Sequence, residues 1–229
     1  MNQERRKNNF LNLKLRLLKA FFYILILTYP ACQQSSSTKQ SSSTKQSSST
    51  NKNKTAITID IQPFADISPN EANYVYTEIK KVYPNVIIKS PIPLPQFAFY
   101  PLRNRYRADS LIKFLNNNTT DGHITIGLTS KDISTNKGSI ADWGVMGLGF
   151  CPGKACIAST FRLAKNENLM QLFKVAIHEL GHTEGLPHCS VKYCFMKDAE
   201  GHNTTDEEKD FCPDCKKYLE KKGWVFNTK

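Results

Sequence analysis

Apolar and polar residues alternate across Ala56-Ile-Thr-Ile-Asp-Ile61, which predicts a β-strand that opens the folded part of the chain. Ser68-Pro-Asn-Glu71 has the form of a capping box with proline at the first helical position, so a helix is expected from there to about Val82, where Pro84 stops it. Val86 to Lys89 reads as a second strand, and Pro91, Pro93 and Pro95 as an extended loop. Leu111, Ile112 and Leu115 share one face of a helix over Arg107 to about Asn116. His123 to Leu128 alternates again, residues 138–150 are glycine-rich, and Cys156 to Leu163 reads as a further strand. From about Asn166, Leu169, Leu172, Phe173, Ala176, Ile177 and Leu180 form one apolar stripe at helical spacing. Mixed strands and helices in this order predict an α+β body.

The last of these helices carries His178-Glu-Leu-Gly-His182. Histidines four apart on a helix lie one above the other, so both imidazoles reach a single zinc. Glu179 is one position further round and faces a water rather than the metal. Gly185 permits a sharp turn, Pro187 stiffens the exit, and His188 returns as a third ligand. Three protein ligands leave a fourth position open, which marks a catalytic rather than a structural zinc. Zinc would acidify water and polarise a scissile carbonyl, with Glu179 as general base.

The formal net charge of +11 raises the question of nucleic acid, but its distribution answers it. Residues 1–50 hold eight Lys/Arg and one acid, which leaves 23 basic against 19 acidic residues in the rest. No nucleic-acid partner is expected. The basic start is followed by an apolar run from Ala20 to Ala31 and then Cys32. That order fits an export signal (1–31) ending at a lipidated Cys32; an uncleaved signal anchor, or a plain signal with an incidental cysteine, fits as well. Ser-Ser-Ser-Thr-Lys-Gln then repeats within a tether over 32–54, and 55–229 forms the folded domain. The expectation is a monomer, lipid-anchored to the membrane of a bacterial cell envelope.

His178-Glu-x-x-His182-x-x-Gly185-x-x-His188-Cys189, with Cys194-x-Met196 and Cys212-x-x-Cys215, resembles the archaemetzincin family of metzincin zinc metallopeptidases. The similarity runs from about 57 to 220, with a slightly short segment between Met196 and Cys212. The resemblance implies a metzincin-type zincin fold: a twisted mixed sheet, an active-site helix, and a Met-turn in which Met196 floors the zinc site. It also implies a peptide or protein substrate. Cys189, Cys194, Cys212 and Cys215 can close a second, structural zinc site tied to a C-terminal helix from Thr205-x-x-Glu208 onward; two disulfides are the competing pairing. Two Zn²⁺ per chain are therefore expected. Cys151 and Cys156 are left open as a disulfide or free thiols. The alternative to an enzyme is a catalytically inactive, zinc-containing peptide-binding module of the same fold.

Overall fold

The computed structural model describes residues 56–166, 168–198 and 205–227. Its centre is a five-stranded mixed sheet in the order β2-β1-β5-β9-β8. The strands are β1 (Thr58–Pro63), β2 (Val86–Ile88), β5 (His123–Thr129), β8 (Gly147–Gly149) and β9 (Ala155–Ser159). The first four in sheet order run parallel, and β8 closes one edge antiparallel to β9. Alternation in β9 divides the interior in two. Cys156 and Ala158 join the core shared with α1 (Pro69–Val82) and α3 (Asn168–Thr183), while Ala155 and Ile157 join the core under α2 (Ala108–Asn117). Gly127 in β5 lets α2 close in, because a Cβ there would lie 2.7 Å from Leu115 Cδ1. The stripe of α3 is fully buried at Leu172, Ala176, Ile177 and Leu180. Burial of each Leu or Ile there contributes roughly 1.5–3 kcal/mol, which fixes which face the helix turns outward.

The capping box forms as expected: Glu71 N–H donates to Ser68 Oγ at 3.2 Å, and Ser68 N–H donates to Glu71 Oε2 at 3.0 Å. Three expectations need correction. The strand from Cys156 ends at Ser159 rather than Leu163, because Ser159 Oγ bonds Lys131 O and Phe161 N–H and turns the chain. The C-terminal helix α4 (Pro213–Lys221) starts later than Thr205: Lys209 N–H bonds Tyr193 O, and Cys194 bridges Asp210, which holds that stretch extended. A second sheet, β3-β4-β6-β7, has no counterpart in the sequence reading. It contains β3 (Phe99–Tyr100), β4 (Arg105–Arg107), β6 (Ile133–Lys137) and β7 (Ile140–Val145).

Candidate active site

Helix α3 ends in a Schellman motif: Leu186 N–H donates to Gly181 O at 3.1 Å and Gly185 N–H to His182 O at 2.9 Å. Gly185 takes φ +94°, a conformation side-chain-bearing residues avoid, so the chain reverses there and returns His188 to the helix. One ring nitrogen from each of His178, His182 and His188 lies within 4.8 Å of the others. Their ring centroids are 4.6, 5.4 and 4.9 Å apart. The remaining nitrogens are engaged. His178 Nδ1 is 2.6 Å from Phe195 O and His182 Nδ1 is 2.8 Å from Leu186 O. Carbonyls only accept, so both Nδ1 atoms carry the proton and both Nε2 lone pairs are free for a metal. His188 Nδ1 lies 3.2 Å from the carboxylate of Asp198, a residue the sequence did not single out. Burial, and then the neighbouring His182, push the His178 pKa down to about 3; burial also lowers that of His182. Both shifts favour the neutral imidazole, the form that can bind zinc.

Glu179 is buried under the edge strand. A Cβ on Gly147 would lie 2.7 Å from Glu179 Oε1, and one on Gly149 would lie 2.8 Å from the Glu179 carbonyl. The two glycines of β8 thus allow backbone and carboxylate to approach where no side chain would fit. Burial pushes the Glu179 carboxyl up to about 8, so it holds a proton readily; a cation beside it would oppose that shift. Met196 is fully buried, and its sulfur packs on Gly181, where a Cβ would stand 2.3 Å from Sδ. The three histidines and Glu179 open on a cavity of about 760 Å³ whose walls include Trp143, Arg162, Lys174, Lys197 and Glu208. Arg162 is paired with the buried Asp132 at 2.8 Å and lies across Gly144.

The four cysteines also converge. Cys189 and Cys212 sulfurs are 3.8 Å apart, Cys194 and Cys215 sulfurs 3.7 Å, and all four lie within 4.8 Å of one another. Disulfides need about 2.05 Å. A tetrahedron with Zn–S of about 2.3 Å has edges of about 3.8 Å, so the donor set suits zinc. No disulfide joins Cys151 and Cys156. Cys189 N–H donates to Met196 O at 2.7 Å, so the cysteine unit and the turn beneath the histidines are one piece of backbone.

The sequence model of Peptidase family M54 matches residues 57–221. An archaemetzincin of Halobacterium salinarum is 28% identical over 173 residues, covering 69% of this chain and 97% of that one. One of Methanopyrus kandleri is 30% identical over 137 residues, covering 58% and 76%. The crystal structure of the Methanopyrus kandleri archaemetzincin superposes with a TM-score of 0.62 at 25% identity, covering 72% of this chain and 94% of that chain. The Archaeoglobus fulgidus archaemetzincin superposes at 0.60 and 25%, covering 71% and 99%. These relatives are archaeal, which overturns the expectation of a lipid-anchored protein of a bacterial envelope. Cys32, the signal (1–31) and the whole tether (32–54) lie outside the described residues. Among the described residues no helix is long and apolar enough to cross a membrane. The similarity reaches from the first strand through the helix of the three histidines to the last cysteine, and the chain accordingly belongs to peptidase family M54 and is a zinc metallopeptidase.

Proposed function

We propose that this chain cleaves peptide bonds with Glu179 as general base and with His178, His182 and His188 as the ligands of the catalytic zinc. The observation that carries the reading is the set of three converging imidazoles, each with its Nδ1 committed elsewhere. Zinc held there would acidify a water and polarise the scissile carbonyl. Glu179 takes the proton of the attacking water and passes it to the leaving amine. Burial beneath β8 holds the carboxylate in place and keeps bulk solvent from competing for it. Phe195 O, Leu186 O and Asp198 fix the three rings so that their free nitrogens stay aimed at one point. Met196 forms an apolar floor as a Met-turn, packed on the helix at Gly181. Cys189, Cys194, Cys212 and Cys215 hold a second, structural zinc with no open position.

The test uses the full chain loaded with zinc. Glu179→Gln should retain about two zinc per chain and lose roughly 10²–10⁴-fold in turnover of a quenched peptide library. Unchanged cleavage by the variant would remove Glu179 from the chemistry.

A further inference from the structure

Lys174 is the unusual residue in the wall of the cleft. It stands one helical turn before His178, so Lys174, His178 and His182 fall in one row on α3. It lines the same cavity as the three histidines, yet only 7% of it is exposed. An ammonium has three N–H donors. One goes to the backbone carbonyl of Thr205, and among the described residues no carboxylate forms an ion pair with Lys174. A buried cation held by one neutral acceptor is costly unless an anion joins it. The other basic side chains of the wall are differently placed: Arg162 is neutralised by Asp132, the Lys137 ammonium lies over the Trp143 ring, and Lys197 is only half-buried. Glu208 shares the wall with Lys174 and is engaged in bonding of its own.

We propose that Lys174 is a specificity residue that receives a substrate carboxylate beside the scissile bond. This inference rests on the peptidase reading above. Lys174 and His178 are about 6 Å apart along the helix, and an extended peptide advances about 3.3 Å per residue. The carboxylate therefore sits within about two residues of the cleaved bond. It is supplied either by an Asp or Glu side chain or by the substrate's own C-terminus.

Matched peptides test this on the full zinc-loaded chain. One set differs only by Glu against Gln at each position flanking the cut; another by a free against an amidated C-terminus. The acid member of one pair should show about 10-fold or higher kcat/KM, since a charge-assisted bond is lost in its partner. The pair that responds identifies the source of the carboxylate. Lys174→Met should erase the discrimination, Lys174→Arg should keep part of it, and Glu208→Gln should strengthen it. A purely structural lysine would instead lower both members equally. Fluorescence anisotropy of labelled peptides on Glu179→Gln gives the same comparison without turnover. Equal handling of acid and amide members by the wild type overturns the proposal and leaves the peptidase reading intact. So does a preference that survives Lys174→Met. Tighter binding of the acid member with no turnover by the wild type would uphold the role of Lys174 and sink the catalytic reading.

Discussion

Gly147→Ala isolates the contribution of carboxylate placement from that of the metal. The added methyl would stand 2.7 Å from Glu179 Oε1 and 2.7 Å from Val175 Cγ1, both well inside contact distance. Ordinary contact begins near 3.4 Å, so the carboxylate must retreat by about 0.7 Å or the edge strand must lift by that amount. Displacements on the order of 1 Å at a reacting group cost about 10²-fold in rate. The expected loss in kcat is thus roughly 10–100-fold. Stability should fall by a net of about 0–2.5 kcal/mol: overpacking costs about 1–3 kcal/mol, offset by roughly 0.5–1 kcal/mol from replacing glycine within a strand. Zinc content should stay at the wild-type value, because the three histidines belong to α3 and the turn behind it rather than to β8. The measurements are steady-state cleavage of one fluorogenic peptide, thermal unfolding, and metal analysis on the same preparation. A variant with wild-type kcat would refute the claim that the glycines of β8 exist to admit Glu179. Loss of zinc together with activity would show instead that β8 supports the ligands.

Two further expectations follow from the surrounding structure. Cys212→Ser should release one of two zinc ions and reduce solubility, checked by metal analysis and sedimentation, because the cluster that ties residues 189–197 to α4 loses a thiolate. Asp132→Asn should destabilise the fold by about 2–3 kcal/mol in denaturant unfolding, because it leaves Arg105 and the partly exposed Arg162 without their shared carboxylate.

The parts legible in the sequence are those whose period matches a single buried face. β1, β5, α1 and α3 show a clean alternation or stripe because each packs one side against the central core, as Ile124, Ile126 and Leu128 do. The spacing of His178, His182 and His188 was legible for a different reason: helix geometry and one positive-φ glycine fix it locally. The second sheet was not legible. Arg105-Tyr-Arg107 and Ile140-Ala-Asp-Trp-Gly-Val145 are largely exposed or half-buried, so no face imposes a pattern, and their pairing depends on contacts distant in sequence. Asp198, Gly147 and Lys174 acquire their roles through tertiary approach to α3. Only the position of Asp198, two residues after Met196, offered a signal. The start of α4 was misread for a similar reason. Thr205-x-x-Glu208 has the form of a cap, but strand-like bonds to Tyr193 override it, and the helix begins instead at Pro213, with Cys212 at the N-cap position.

His188 and Cys189 are adjacent, and the partners of Cys189 include Cys212 and Cys215, 23 and 26 residues further along. The third imidazole is therefore held by residues that leave the ribosome after all three histidines. On the proposed arrangement, a nascent polypeptide has all three histidines before the third is anchored, so it stays hydrolytically silent until Cys212 and Cys215 have been made and folded back.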